Sequence, residues 1–118
     1  MYEDSRVAAF LDHRPLFPGH VLVVPRAHVV ALDDLPPEDV GPYFGVVQRV
    51  SGAVERGMHA GGTFVAINNK VSQSVPHLHC HVVPRTKGDG LRGFFWPRQR
   101  YDSDDDAARV ADAIRREL

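Results

Sequence analysis

Three histidines alternate with apolar residues in one short stretch of the chain, at His77, His79 and His81. In a β-strand, side chains two positions apart lie on one face, so a strand here would carry an imidazole face and an apolar face. A single histidine on a strand is most often a hydrogen-bonded structural residue. Solvent accepts almost any polar side chain on an exposed strand face, so three imidazoles in a row indicate a chemical role.

A metal centre is one chemistry that imidazoles support, because histidine is a common ligand of zinc and copper. Neighbours on one face of a strand lie about 6.5–7 Å apart, and the outer pair about 13 Å apart. Two of the rings could therefore bind one ion, but three could not easily do so. A metal site would need a further ligand, for which His20 and Asp12 are the candidates.

The overall composition is that of an ordinary globular protein, with 118 residues, 43% hydrophobic, 25% charged and a net charge of −1. This length favours one domain with a real core, and the charge argues against nucleic acid or a membrane surface as the main partner. The single cysteine, Cys80, cannot form an internal disulfide and suits a reducing compartment. No apolar run reaches membrane-spanning length and no signal-peptide pattern is present, so we expect a cytoplasmic protein.

Strands are predicted at 7–11, 20–25 and 63–67, where apolar or β-branched runs are bounded by glycine, proline or polar residues. A polar loop over 68–74 would lead from the third of these into the histidine strand, which the alternation predicts to begin at His77. The stretch between 29 and 35 is expected to be irregular.

Two helices are predicted. Apolar residues recur every three or four positions from Val40 to Met58, which indicates an amphipathic helix despite Pro42 and several glycines, and the prolines and acids at 36–39 suit its first turn. A second helix is expected after Ser103, a plausible N-cap followed by three aspartates. Its expected buried stripe is Val110, Ala113, Ile114 and Leu118.

The segment from Thr86 to Arg98 is punctuated by glycines and carries the adjacent aromatics Phe94, Phe95 and Trp96. These aromatics could plug the edge of the core, or they could form a pocket or a dimer contact, since binding surfaces often mix aromatic and basic residues. The other histidines outside the alternating stretch, His13, His28 and His59, are expected to be surface, structural or loop residues.

The chain resembles the histidine triad (HIT) superfamily of nucleotide-binding hydrolases and transferases, of the Hint and Fhit type. The family signature, His-φ-His-φ-His-φ-φ with φ apolar, fits His77 to Val83 at every position. Further motifs follow in family order, and the likeness covers roughly Val7 to Arg85. They are Phe10-Leu11-Asp12, the run from Pro18 to His28, the central helix, Asn68, and Gln73-Ser74-Val75.

The resemblance implies an α+β fold, with an antiparallel sheet of about five strands, a central helix packed on it and a C-terminal helix. We expect one domain over residues 1–118, with a core motif region at 7–85 and a tail at 86–118. The resemblance also implies a nucleotide substrate, expected to be a purine nucleotide, no cofactor and no bound metal. Two protomers are expected to pair as a homodimer by joining their sheets.

Matching the motifs residue by residue assigns four catalytic histidines. The resemblance implies that His79 is the nucleophile on the α-phosphorus and that His81 contacts the phosphoryl oxygens and the leaving group. His77 would orient the nucleophile, and His20 would hydrogen-bond into the same network. The chemistry is sound, because neutral imidazole is a nucleophile near pH 7 and a phosphorus–imidazole bond is labile enough for water to cleave it.

Four further positions are expected to bind substrate. Asp12 takes the position that binds the ribose hydroxyls, and Asn68, Ser74 and Gln73 take polar positions near the phosphate and the leaving group. On composition alone, Asp12 could instead be a turn residue that hydrogen-bonds its own backbone, and the loop residues could simply satisfy loop groups. Because the loop over 68–73 is shorter than the family pattern, Asn69 is an alternative to Asn68.

Three functions remain open from the sequence. The first is a hydrolase that releases a nucleoside monophosphate from a phosphoramidate, an acyl-nucleotide or a dinucleoside polyphosphate; a histidine rather than a glutamine at position 81 points to hydrolysis instead of transfer. The second is a nucleotide-binding or scaffold protein with residual hydrolysis, and the third is a metal-dependent enzyme. Basic residues that could favour a polyphosphate leaving group are Lys70, Lys87, Arg92 and Arg98.

Overall fold

A computed structural model describes residues 1–91 and 98–118 of the chain. Within these residues, five strands form one antiparallel sheet in the order β1-β2-β3-β5-β4. The strands are β1 (Tyr2–Glu3), β2 (Val7–Leu11), β3 (Val21–Pro25), β4 (Gly62–Ile67) and β5 (Cys80–Arg85). The aromatics at 94–96 and Arg92 lie outside the described residues.

The long helix α1 (Pro37–Gly57) packs against β2, β3, β4 and β5, as the 40–58 apolar spacing predicted. The strand residues that meet it come from alternate positions, since opposite partners in an antiparallel ladder share a face. The central row joins Ala9, Val23, Cys80 and Ile67 across four strands. The core that results is an α+β sandwich of one sheet and one helix, and the predicted fold class is confirmed.

Pro42 is tolerated inside α1 because another residue takes over its missing hydrogen bond. A proline nitrogen cannot donate to the carbonyl four residues earlier, which here is that of Glu38. The guanidinium of Arg6 donates to this carbonyl at 3.2 Å and to the carboxylate of Asp39 at 2.7 Å. The same arginine therefore satisfies the helix and ties it to the start of β2.

The predicted histidine strand is wrong in its first residues. β5 begins at Cys80, and His77, Leu78 and His79 form an irregular approach to it. The alternation of environment is nevertheless present, because Leu78, Cys80 and Val82 are fully buried. The backbone of Leu78 is anchored outside the sheet, where its N–H donates to the carbonyl of Val29 at 2.8 Å.

The C-terminal helix α2 (Asp104–Arg115) begins as predicted, with the Ser103 side chain accepting from the N–H of Asp106 at 3.0 Å. Its expected buried stripe is wrong, since no residue of α2 is buried and Ile114 is 61% exposed. The helix packs against none of the other described elements. Amphipathic spacing shows which side of a helix is apolar, but it does not show that the same chain covers that side.

The stretch between β3 and α1 contains one short 3-10 turn at Leu32–Asp34, within the region that was expected to be irregular. Neither of the described helices combines the length and the apolar composition needed to cross a membrane.

Candidate active site

The loop between β2 and β3 positions two of the predicted site residues. Its neck is closed by the N–H of Asp12, which donates to the carbonyl of His20 at 2.9 Å, and the N–H of His20 donates to the carbonyl of Phe17 at 3.0 Å. Gly19 completes the turn with a φ of +96°, and a Cβ there would lie 2.6 Å from Cγ of Met58. Asp12 and His20 are thereby held side by side at the ends of β2 and β3.

His20 links this loop to the alternating histidines of β5. Its Nε2 lies 3.0 Å from Nδ1 of His81, 61 positions later in the chain. The His81 ring in turn lies 4.9 Å from that of His79, centroid to centroid, at an interplanar angle of 69°. The structure therefore brings His20, His79 and His81 into one cluster, although only His81 belongs to a strand.

Hydrogen-bond partners assign the proton positions of His20 and His81. The backbone N–H of Leu16 donates to Nδ1 of His20 at 3.1 Å, so this nitrogen must hold a lone pair. A neutral His20 then carries its proton on Nε2 and donates to Nδ1 of His81. Neutral His81 in consequence carries its own proton on Nε2, where it is a hydrogen-bond donor.

The same reasoning applies to the other two triad histidines. Nδ1 of His79 lies 2.8 Å from the carbonyl oxygen of His77, which can only accept, so Nδ1 carries a proton. The Nε2 of neutral His79 is left with a free lone pair. Nε2 of His77 lies 2.9 Å from the carbonyl oxygen of Pro25 and is likewise protonated. His79 therefore presents a lone pair on Nε2, and the carbonyl of His77 holds the other side of its ring.

Burial keeps the neighbours of His79 neutral. It lowers the pKa of His20 below its usual value of 6.5, against a smaller opposing effect from Asp12. Burial also lowers the pKa of His81, and the proximity of His79 and His20 lowers it further. Cys80, buried behind the histidines, has its pKa raised by burial to about 11 and stays a thiol.

The side chain of Asp12 has two contacts. They bear on the two interpretations of this residue, as a turn residue and as a residue that binds substrate. One carboxylate oxygen accepts from the N–H of Arg14 at 2.9 Å, which makes Asp12 a turn residue. The other oxygen lies 3.8 Å from Nδ1 of His20. Because the side chain is 19% exposed, it can also accept from a bound molecule.

Asp12, His20 and His81 are also the described residues most suited to hold a metal, with one ligand atom of each within 4.8 Å of the others. These include both of the extra ligands that the sequence suggested for a metal site. Both nitrogens of His20 already have partners, however, in Leu16 and His81. A metal ion would have to replace one of those hydrogen bonds, so the arrangement fits a hydrogen-bonded chain better than a preformed metal centre.

The short loop between β4 and the histidines is shaped by two of its own amides. The Asn69 side-chain oxygen accepts from the N–H of Leu32 at 2.8 Å. Gln73 donates to the carbonyl of Val30 at 2.6 Å and accepts from the N–H of Lys70 at 2.9 Å. Lys70 has a φ of +68°, so a left-handed residue replaces the glycine that a tight loop usually needs. The side chains of Gln73 and Asn69 therefore stabilise the conformation of the loop.

Asn68 and Ser74 are exposed. They differ from Asn69 and Gln73 because neither side chain forms a hydrogen bond with any described residue. Asn68 directly follows Ile67, which pairs with Cys80. The ladder ends at this pair. The roles of Asn68, Ser74 and Gln73 in substrate binding stay predictions, and of the two asparagines only Asn69 has a side-chain hydrogen bond within the described residues.

The row of the sheet that carries His81 is otherwise apolar. Phe10, Leu22, His81 and Ala66 pair in register across β2, β3, β5 and β4, so they share the face opposite α1. Phe10 is 44% exposed. An aromatic ring accessible on the same face as the imidazoles, about two strand spacings or 10 Å away, is a surface on which a flat base can pack.

A cleft of about 690 Å³ lies at the other end of β5, beside Gly61, Thr63, Arg85 and Lys87. It includes none of the predicted site residues. Arg85 is not available there as a free cation, because it forms a close ion pair with Asp89 at 2.6 Å.

Sequence reasoning missed three contributors to the site. Leu16 and Pro25 act through backbone groups, which leave no signal in residue type. His28, expected to be a surface or structural residue, lies with its Nδ1 3.3 Å from Nδ1 of His77. Its position inside the motif run that ends at His28 was the available signal.

Comparison with known proteins identifies the family. The HIT domain model matches residues 1–88. The chain is 38% identical over 90 residues to the bis(5'-nucleosyl)-tetraphosphatase [asymmetrical] of Schizosaccharomyces pombe, covering 75% of this chain and 50% of that protein. It is 29% identical to the adenylylsulfatase HINT3 of Arabidopsis thaliana, covering all of this chain and 61% of that protein. The chain thus spans only part of the length of these relatives.

The solved structures agree with the sequence match. A crystal structure of a HIT family protein from Bacillus subtilis superposes with a TM-score of 0.89 at 32% identity, covering all of this chain and 86% of the other. The family model, the triad signature and the fold agree. This chain therefore belongs to the histidine triad family.

Proposed function

We propose that the protein is a nucleotide hydrolase that cleaves at the α-phosphate through a covalent nucleotidyl–His79 intermediate and releases a nucleoside monophosphate. The single observation that carries this proposal is the His79 hydrogen bond. Because Nδ1 of His79 donates to the carbonyl of His77 at 2.8 Å, the lone pair of a neutral ring is on Nε2. The relatives named as a tetraphosphatase and an adenylylsulfatase support the same class of reaction.

In the first step, Nε2 of His79 attacks the α-phosphorus, a nitrogen–phosphorus bond forms, and the bond to the leaving group breaks with its electron pair. The ring becomes a phosphorylated imidazolium whose Nδ1–H still donates to the carbonyl of His77, which stabilises the new positive charge. The Nε2–H of His81 is available to donate to a phosphoryl oxygen or to the leaving atom. Developing negative charge therefore meets a fixed donor.

In the second step, water attacks the same phosphorus, and His79 departs as a neutral imidazole. The water oxygen stays on the phosphoryl group and the released proton passes to solvent, so the product is a nucleoside monophosphate and the enzyme is regenerated. No step in this scheme uses a metal. The nucleoside would lie with its base against Phe10 and its ribose near Asp12, a placement supported by the exposed Phe10 ring and the second carboxylate oxygen of Asp12.

The substrate proposed is a purine nucleotide joined to an amine, an acyl group or a second nucleotide, in a cytoplasmic protein. We also propose that two protomers pair through β4. This six-residue strand lies at the edge of the described sheet and pairs only with β5 there. A strand at the edge of a sheet can pair with the same strand of a second copy.

The test is a panel of adenosine and guanosine phosphoramidates, acyl-nucleotides and dinucleoside polyphosphates, with monophosphate release followed by chromatography. We expect His79→Ala to lower turnover by about 10³-fold or more while nucleotide binding, measured by calorimetry, persists. The matched control is His59→Asn, since His59 is exposed and its φ of +52° is one that asparagine tolerates. Intact-protein mass spectrometry of quenched wild-type enzyme should show a gain of one nucleotidyl group.

Turnover retained by His79→Ala would remove the nucleophile assignment. Loss of wild-type activity in excess chelator, restored by a divalent cation, would favour the metal-dependent alternative at Asp12, His20 and His81. Tight nucleotide binding with no turnover of any substrate by the wild type would favour the scaffold function.

A further inference from the structure

A second pair of histidines lies next to the triad. His28, three residues beyond the end of β3, is exposed, and its ring lies 5.5 Å from that of His77, centroid to centroid. The two Nδ1 atoms are 3.3 Å apart, within hydrogen-bond distance. The proposed reaction gives His28 no contact with the substrate, so its role has to be sought through His77.

The proton positions of the pair follow from the partner of His77 on its other side. Nε2 of His77 lies 2.9 Å from the carbonyl oxygen of Pro25 and must carry a proton. In a neutral His77, Nδ1 is then a lone pair, and the atom facing it, Nδ1 of His28, must be the donor. An N–H on both Nδ1 atoms would place two donors face to face, and the hydrogen bond between the rings would be lost.

His77 needs such anchors because it lies outside the sheet. β5 begins at Cys80, so no ladder hydrogen bond fixes the peptide of His77, whose carbonyl must point at Nδ1 of His79. The N–H of His77 donates to the carbonyl of Val75 at 2.8 Å, and the other anchors come from the chain that follows β3. The carbonyl of Pro25 and the ring of His28 hold the His77 side chain, and the carbonyl of Val29 accepts from the N–H of Leu78 at 2.8 Å.

We propose that His28 is a positioning residue. Its Nδ1–H donates to Nδ1 of His77 and, together with the carbonyl of Pro25, holds that ring in the Nε2–H tautomer, and so keeps the His77 carbonyl aimed at the nucleophile. Removal of the donor frees the His77 ring to rotate or change tautomer, and the orientation of His79 is lost with it. The catalytic consequence rests on the proposed function, but the tautomer consequence concerns the free protein and does not.

The tautomers can be read directly by long-range ¹H–¹⁵N NMR of the histidine rings in the substrate-free protein at one neutral pH. In the wild type, His77 should show a protonated Nε2, and His79 and His28 a protonated Nδ1. In His28→Leu, the His77 and His79 signals should move toward a mixture of tautomers. In His28→Asn, whose amide N–H₂ can take the place of Nδ1–H, they should stay close to wild type, as they should in the His59→Asn control.

Kinetics supply the second readout. We expect His28→Leu to lower kcat by about 10-fold to 100-fold with KM changed much less, because misplacement of a catalytic group lowers the rate without removing substrate contacts. His28→Asn should recover most of the loss, and His59→Asn should match the wild type. Dispersed NMR spectra of each variant show that the fold is intact.

Unchanged ring signals for His77 and His79 in His28→Leu would overturn the proposal, and so would a His28→Asn variant impaired as severely as His28→Leu. A wild-type protein that turns over no nucleotide would contradict the proposed function instead. The NMR comparison would still decide whether His28 positions His77, so the two failures are distinguishable.

Discussion

At the scale of single residues, the site is a set of imidazoles whose proton positions are set by backbone groups. A backbone carbonyl can only accept a hydrogen bond, and a backbone N–H can only donate one. Backbone carbonyls of His77 and Pro25 accept, and the backbone N–H of Leu16 donates. Each of these fixes one nitrogen of a histidine, and the neutral ring leaves no choice for the other. In the neutral rings, His79 thereby has a lone pair and His81 an N–H on Nε2, as the proposed reaction requires of its nucleophile and its donor.

The lowered pKa values of His20 and His81 predict how stability depends on pH. The unfolded chain takes up protons on these histidines near pH 6.5, whereas the folded protein keeps them neutral to lower pH. Their contribution is therefore fully present above about pH 6.5 and is lost as the pH falls from there through the folded-state values. Urea denaturation between pH 7.5 and 5 should show this decline.

The contribution of His20 can be isolated by comparison with His20→Gln. That variant should lose less stability between pH 7.5 and 5 than the wild type, whereas His59→Gln should follow the wild-type curve. An identical pH dependence in His20→Gln and the wild type would show that burial of His20 does not govern this loss.

At the scale of secondary-structure elements, the β2–β3 loop and the approach to β5 do most of the positioning. Neither is a strand or a helix, and each is closed by hydrogen bonds to a distant part of the chain or across its own neck. His20 reaches His81 because the loop turns sharply at Gly19, whose positive φ and contact with Met58 leave no room for a side chain.

Substitutions at two glycines should have opposite effects on stability. Gly19→Ala should destabilise the fold by about 1–2 kcal/mol or more and reduce activity, since it strains φ and displaces the His20 loop. Gly45→Ala, inside α1 where an added Cβ meets nothing within 4 Å, should stabilise by about 0.5–1 kcal/mol. Chemical denaturation of the two variants tests both directions, and a Gly19→Ala protein as stable and active as the wild type would contradict the account of the loop.

At the scale of the whole molecule, one sheet, one packed helix and one unattached helix leave apolar surface uncovered within the described residues. Val65 on β4 is 43% exposed, and the apolar side of α2 has no partner among the other described elements. Surfaces of this kind are frequently completed by a second copy.

The proposed pairing through β4 can be tested at its edge. Val65→Lys introduces a charge on the edge strand and should shift the protein from dimer to monomer in sedimentation equilibrium. Val71→Lys is the matched control, because Val71 is 81% exposed in a loop outside the strand. A Val65→Lys protein that remains as dimeric as the control would rule out β4 as the interface.

The sequence alone determined the family resemblance and most of the elements. The spacing of His77, His79 and His81 predicted the reacting groups, and the periods of two and of three to four positions located β2, β3, β4 and α1. These features are local, because the apolar periodicity of a strand or a helix is formed by residues that are close in the sequence. The match of the triad to a family signature extended this to the fold.

Only the tertiary structure decided how those groups are used. It showed that β5 begins at Cys80 and that His28 contacts His77. Within residues 1–91 and 98–118, it also showed that no residue of α2 is buried and that the Asn69 side chain, unlike that of Asn68, forms a hydrogen bond in the loop. The physical reason is the same in each case. Burial, hydrogen-bond partners and tautomers depend on residues up to 61 positions away, and no local pattern encodes such contacts.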